Sequence, residues 1–243
     1  MTQHGFRKII LDTLFPLFCL GCGKEGFWVC ERCSSKIRLK KIQICPICER
    51  EEEPLGSICR KCREKYPDTA FNSLIVASEY DRIAKIVHLF KYKFIPELAS
   101  PLGSMLVKSF IEKNLPLPDL IVPVPIHRKR LRWRGFNQSE LLGKFLSENI
   151  APGITVPVLN ECVIRKRYAS AQMKIGSYQE RINNMKDSFM LNRKYQDVIR
   201  MKRILLVDDV VTTGATIAEC AKEIRKAEPK EIHVMAIARQ GMG

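Results

Sequence analysis

The stretch "ILLVDDVVTTGAT", Ile204 to Thr216, starts as four aliphatic residues and turns abruptly into two adjacent carboxylates, Asp208 and Asp209. Val210, Val211, Thr212, Thr213, Gly214, Ala215 and Thr216 follow at once. An unbroken aliphatic run of this kind reads as a strand buried on both faces. Beyond it, "TIAECAKEIRKA" puts Ile217, Cys220, Ala221 and Ile224 on one face of an amphipathic helix. A loop running from such a strand into a helix N-terminus presents free backbone N–H groups and the positive end of the helix dipole, which favours a phosphate. Thr212, Thr213 and Thr216 add hydroxyl donors, and Gly214 removes the side chain that would block close backbone approach. The two carboxylates can accept hydrogen bonds from a vicinal diol or help hold a divalent cation. A phosphate and a diol at that separation describe a ribose 5-phosphate unit. Helix capping accounts for one Asp or one Thr, but not for an acidic pair with three threonines and a glycine.

On either side of this stretch, the chain from residue 119 alternates short aliphatic runs with amphipathic helices. "DLIVPVP", "ITVPVLNECVIRK", "KRILLVDD" and "EIHVMAIAR" read as strands, and "SELLGKFLSEN" and "TIAECAKEIRKA" as helices. Upstream, "SLIVASEY" is strand-like, while "IAKIVHLFKY" and "ELASPLGSMLVKSFIEKN" have helical spacing. The pattern predicts an α/β fold with a mostly parallel sheet flanked by helices. Ligands of such sheets bind at the carboxyl ends of strands, where Asp208 and Asp209 fall.

Eight of the ten cysteines lie in the first 62 residues, all as C-x-x-C: Cys19/Cys22, Cys30/Cys33, Cys45/Cys48 and Cys59/Cys62. Each such turn can present two thiolates to a tetrahedral Zn²⁺, so two structural Cys₄ zinc sites are expected. Sequential pairing along the chain is favoured, with an alternating, cross-braced pairing as the other arrangement. A segment so poor in large apolar residues folds around metal rather than around a core. "EKYPDTAFNS" marks the boundary, giving a double zinc ribbon over residues 1–67 and the α/β domain over 68–243.

The formal charge is +15, from 41 basic and 26 acidic residues. Two Zn(Cys)₄ units would lower it to about +11. The excess is concentrated in "HRKRLRWR" (His127 to Arg134) and in "RKR" (Arg165 to Arg167), which suits a polyanionic or phosphorylated partner. The early run "IILDTLFPLF" is broken by Asp12 and Pro16 and lacks a small-residue cleavage site. No run reaches the ~18 apolar residues of a membrane span, and a cytoplasmic location is expected.

On these residues the chain resembles the ComF family. "LLVDDVVTTGAT" is similar to the 5-phosphoribosyl-1-pyrophosphate (PRPP) motif of type I phosphoribosyltransferases. The C-x-x-C knuckles, "YDRIAKIVHLFKY", "VPVPIHRKRLRWRGFNQSELL", "QERINNMKDSF" and the terminal "AIAR" occur in the family's order. The resemblance implies a type I phosphoribosyltransferase fold with an N-terminal double zinc ribbon. It implies PRPP binding, with Mg²⁺, by Asp208, Asp209, Val211, Thr212, Thr213, Gly214, Ala215 and Thr216. "PIHR" would be the pyrophosphate loop, with Pro125, Ile126, His127 and Arg128 joined by Arg134. Arg167, Gln172, Arg181 and Asn184 match a mobile loop that covers PRPP in catalytic relatives. The chain departs from the family at two places: Phe94 where the family often has Gly, and a loop "RYASAQMKIGS" without the usual prolines.

The resemblance also implies single-stranded DNA handling during natural transformation, with other DNA-uptake proteins as further partners. Trp28, Trp133 and Phe136 are candidate stacking platforms. A metabolic phosphoribosyltransferase with an unidentified acceptor and a PRPP-sensing regulator are the competing readings. No residue in the sequence marks the acceptor pocket, so PRPP binding is the expectation and turnover is left open.

Overall fold

The computed structural model describes residues 17–167, 185 and 187–240, and within them the aliphatic runs become six strands: β1 (Ser73–Glu79), β2 (Leu120–Pro123), β3 (Val163–Arg165), β4 (Phe189–Leu191), β5 (Arg203–Val211) and β6 (Glu231–Arg239). The helices are α1 (Glu31–Ser35), α2 (Arg60–Lys65), α3 (Tyr80–Tyr92), α4 (Ala99–Glu112), α5 (Arg128–Arg134), α6 (Gln138–Asn149), α7 (Gln196–Ile199) and α8 (Ala215–Arg225). Short 3₁₀ turns precede α4 and α7.

The main sheet is parallel, in the order β1-β6-β5-β2. Its strands are aliphatic on both faces because both faces are covered. Leu74, Val76, Val122, Ile204, Leu206, Val234 and Ala236 enter one core with Ile217, Cys220, Ala221 and Ile224 of α8. Cys220 is therefore a packing residue, and its burial holds the thiol well above its usual range. The register sets β2 beside β5, Pro123 opposite Val207, so the loops leaving these two strands are neighbours although some 80 residues separate them in sequence.

The strand expected across 154–166 is not continuous. Pro157 and Leu159 bracket Ile121 of β2 through one carbonyl and one N–H, making a single parallel bridge at Val158. A turn at Cys162 then redirects the chain, and β3 pairs antiparallel with β4 in a separate two-stranded ribbon. Pro157 has no N–H to continue the ladder, and the polar Asn160–Glu161 step provides the turn. Two carboxylates of α8 fasten this ribbon: Glu219 accepts from the Asp187 N–H at 2.9 Å and Glu223 from the Leu191 N–H at 3.2 Å.

The chain forms two compact units, Met1–Arg38 and Leu39–Gly243. The first holds the cysteines at 19, 22, 30 and 33, while the four at 45, 48, 59 and 62 fold with the α/β unit. Their segment lies along β1. The Gln43 amide donates to the Val76 carbonyl at 3.0 Å and accepts from the Val76 N–H at 3.0 Å, and the Gly56 carbonyl accepts from the Leu74 N–H at 2.9 Å. Gly56 sits at φ +60°, and a Cβ there would lie 2.0 Å from the Leu74 oxygen, so only glycine allows this approach. The Arg239 guanidinium, at the end of β6, reaches the Pro46 carbonyl at 3.0 Å and the Glu49 carboxylate at 2.5 Å.

Candidate functional site

The thiols fall into the sequential groups Cys19/Cys22/Cys30/Cys33 and Cys45/Cys48/Cys59/Cys62, the ligand atoms of each lying within 4.8 Å of one another. Both groups are built alike. The first knuckle is a tight turn, and the second opens a short helix, α1 or α2, with Cys30 or Cys59 at its N-cap. A tetrahedral Zn²⁺ with Zn–S near 2.3 Å requires sulfurs about 3.8 Å apart. Cys22 Sγ and Cys30 Sγ are 3.6 Å apart, and Cys48 Sγ and Cys59 Sγ 3.8 Å. The thiols influence one another strongly. The Cys30 N–H draws Cys19 down to about 6, while neighbouring Cys22 and partial burial push Cys33 up to about 12. A dication that lets all four ionise resolves the conflict, so both groups could hold zinc.

The second centre is at the carboxyl ends of β5 and β2. Asp208 and Asp209 are the sixth and seventh residues of β5, whose pairing with β6 continues to Val211 opposite Arg239. Thr212 and Thr213 form the turn, Gly214 takes the left-handed conformation at φ +79°, and α8 begins at Ala215. Thr213 Oγ1 accepts from the Ala215 N–H at 3.4 Å. Val211, Thr213 and Ala215 are buried, Thr212 is exposed, and Gly214 and Thr216 are intermediate. The loop expected to cradle a phosphate thus does open an eleven-residue helix.

The loop after β2 contains Pro125, Ile126 and His127, and Arg128 opens α5. His127 caps this helix, its Nδ1 accepting from the Lys129 N–H at 3.2 Å. Arg134 closes α5, with its Nη1 donating to Gln138 Oε1 at 3.1 Å and its guanidinium 5.7 Å from the centre of the Tyr92 ring. The Nε atoms of Arg134 and Arg165 are buried and have no acceptor among the described residues, an arrangement that suits an anion.

The residues after Arg134 link these parts. The Asn137 amide oxygen caps α6 through the Ser139 N–H at 3.2 Å, and its nitrogen donates to the Val124 carbonyl at 3.1 Å, so it is a helix cap and also a brace for the loop. Gln138 donates to the Phe90 carbonyl of α3 at 3.2 Å. Ser139 donates to Asp208 Oδ1 at 3.1 Å. Three successive side chains therefore tie α6 to the β2 loop, to α3 and to the acidic pair.

Asp209 is bound from the other side. Lys91, in the last turn of α3, places Nζ 2.9 Å from Asp209 Oδ1, with the two side chains 20% and 11% exposed. Burial works to lower the Lys91 pKa, but Asp209 and Asp208 outweigh it and hold the ammonium above its ordinary value. Burial, reinforced by the Asp209 charge, pushes the Asp208 carboxyl up to about 7, with Lys91 and its hydrogen bonds working in the opposite direction. Among the described residues, the groups of three or more metal-type ligands are the two cysteine clusters.

Arg167 is exposed at the end of the described segment after β3, and Gln172, Arg181 and Asn184 lie outside the described residues. Lys91, Gln138 and Ser139 join the site without being expected there from sequence. Lys91 reads in sequence as a basic residue in a last helical turn, and Gln138 and Ser139 as the start of a helix. Phe94 occupies the left-handed region at φ +55°, which explains why glycine suits that position, and here its ring packs edge-on against Trp133 with centroids 4.9 Å apart.

The sequence profile of the phosphoribosyl transferase domain matches residues 154–243. Competence protein F of Haemophilus influenzae is 29% identical over 238 residues, covering 93% of this chain and 99% of that protein. DNA utilization protein YhgH of Escherichia coli is 31% identical over 220 residues, covering 88% and 92%. Competence protein ComFC of Bacillus subtilis is 26% identical over 208 residues, covering 82% and 80%. Among solved structures, the glutamine PRPP amidotransferase of B. subtilis superposes with a TM-score of 0.40 and 21% identity over 62% of this chain and 30% of its own. With full-length similarity to these relatives, a phosphoribosyl transferase domain and two Cys₄ clusters ahead of it, the chain belongs to the ComF family.

Proposed function

We propose that the centre at the ends of β2 and β5 binds PRPP. Asp208 and Asp209 take the ribose hydroxyls, and Val211 to Thr216 take the 5-phosphate. The loop Pro125–Ile126–His127–Arg128 with Arg134 takes the pyrophosphate. The carrying observation is the adjacency of β2 and β5, which sets an anion-suited loop one strand spacing from the acidic pair and from the α8 N-terminus. The Nε of Arg134, buried and without an acceptor among the described residues, supports the same reading. A Mg²⁺ accompanying PRPP would be carried mainly by the ligand's own pyrophosphate oxygens.

Transfer would break the bond from C1 to pyrophosphate, whose oxygen leaves with the electron pair, while an acceptor adds to C1. The cations around the β2 loop would stabilise the departing charge. Residues 1–67 serve in this reading as the zinc-holding segment and 68–243 as the transferase-like domain, in a cytoplasmic protein. Calorimetry with PRPP tests the site: binding is expected for the wild type and is expected to be lost in Asp208→Asn with Asp209→Asn. Unchanged affinity in the double variant would refute the assignment.

The relatives named for competence and DNA utilization favour a role on single-stranded DNA, alongside other DNA-uptake proteins. One structural observation supports it: Trp133 is 61% exposed on α5, which also carries exposed Arg128, Lys129 and Arg132. A stacking ring among cations is a single-strand platform. Anisotropy with a labelled oligonucleotide should give an affinity that falls steeply with salt and drops on Trp133→Ala. A flat salt response would exclude phosphate contacts.

A further inference from the structure

Two carboxylates on successive residues of a buried strand end repel each other and need a counter-charge. A divalent ion is the usual remedy at sites that hold phosphorylated sugars. In this chain the remedy is covalently attached. Lys91 reaches Asp209 Oδ1 at 2.9 Å from the last turn of α3, and its ammonium is largely withdrawn from solvent. Its position is preset rather than incidental. Phe90, the preceding residue, is fully buried and its carbonyl receives the Gln138 amide, which fixes the helix end from which Lys91 projects. Asp208 meanwhile is served by the Ser139 hydroxyl at 3.1 Å and the Asp209 N–H at 2.8 Å. The guanidinium of Arg134 is turned to Gln138 and that of Arg165 to Met185 and Phe189.

We propose that Lys91 is the built-in counter-cation of the Asp208–Asp209 pair, standing where a divalent ion would otherwise bind, so that the pair grips its ligand's hydroxyls without metal. This rests on the reading of the pair as a ribose grip. An ammonium has three donors, and one spent on Asp209 leaves two for a ligand hydroxyl or phosphate oxygen. It also repels a second cation from the same carboxylate, whereas Mg²⁺ demands close octahedral oxygen contact. Lys91 thereby fixes which cation serves the site as well as neutralising it.

The test uses the zinc-replete full chain and Mn²⁺ alone, followed by electron paramagnetic resonance at pH 8, with no sugar phosphate present. Lys91→Met should create one saturable Mn²⁺ site, bound at least about tenfold tighter than by the wild type once the like charge is gone. Lys91→Arg should behave as wild type, and adding Asp209→Asn to Lys91→Met should remove the new site. Lys91→Gln gives the same comparison if the methionine variant does not fold, as judged by circular dichroism and zinc content. A folded Lys91→Met or Lys91→Gln chain with no gain in Mn²⁺ affinity overturns the proposal. So does a wild type that binds Mn²⁺ at the pair as tightly as the variants. If the Mn²⁺ site appears but PRPP calorimetry shows no binding, the counter-cation role stands and the PRPP reading falls.

Discussion

Replacing Asp208 by Asn should stabilise the protein at pH 8 while destroying the proposed ligand grip. The Asp208 carboxyl is pushed from 3.8 to about 7, chiefly by burial and then by Asp209. A carboxyl raised in the folded state binds more protons there than in the unfolded chain between those two values. Stability attributable to this group is therefore greatest below about pH 4, falls as pH rises, and is at its lowest above about pH 7. At ~1.4 kcal/mol per unit, holding Asp208 ionised at pH 8 costs up to about 4 kcal/mol. Asn keeps an oxygen for the Ser139 hydroxyl and the Asp209 N–H but brings an amide NH₂ that has to be satisfied in a largely dry place, so the net gain should be about 2 kcal/mol. For a unit of this size that is a rise in Tm of roughly 4–8 °C at pH 8, shrinking towards zero at pH 5. Thermal unfolding of both zinc-loaded proteins by circular dichroism at the two pH values measures it. An Asn variant no more stable than wild type at pH 8, or a Tm difference that is the same at both values, would refute this explanation.

Two further perturbations follow from the braces around the site and the ribbons. Asn137→Ala removes both the α6 cap and the tie to Val124, and should cost roughly 1–3 kcal/mol in denaturant unfolding and weaken PRPP binding; a loss under about 0.5 kcal/mol would show that the brace is dispensable. Cys45→Ser with Cys48→Ser should release one of two zincs and lower the main thermal transition, whereas Cys19→Ser with Cys22→Ser should release one zinc and leave that transition unchanged, because only the later cluster folds with the α/β unit. Identical behaviour of the two double variants would contradict this division.

The legible part of the molecule is the part governed by local rules. The aliphatic runs at 120–123, 203–211 and 231–239 are strands because period and composition agree, and the four C-x-x-C turns pair in sequence because each pair is joined by a short loop. The acidic pair with its loop is visible because carboxylates and threonines after such a run have little other use. Lys91 and Ser139 are not visible, because each reaches the site through register and helix packing that no short window contains. The segment 154–166 reads as one strand in sequence because its aliphatic content outweighs the signals of Pro157 and the polar turn at 160–161, and the fold breaks it at those signals. Nor does composition show that the later cysteines pack with the α/β unit. That depends on Gln43, Gly56 and Arg239, three residues that look ordinary in sequence.

Gln43 also changes the character of the outermost strand. β1 ends the order β1-β6-β5-β2, and its outward peptide groups would otherwise form an open ladder. The Gln43 amide answers Val76 on both its N–H and its carbonyl, as one peptide of an adjoining strand would, and Gly56 answers Leu74. An unguarded sheet margin is a template on which other copies of a chain can add. The segment that guards it is held by the thiols at 45, 48, 59 and 62 rather than by a core of its own. With zinc on these four thiols, stripping the metal is expected to loosen the guard before the α/β core and to open this margin to other copies, which size-exclusion chromatography of chelator-treated protein would read as added oligomer.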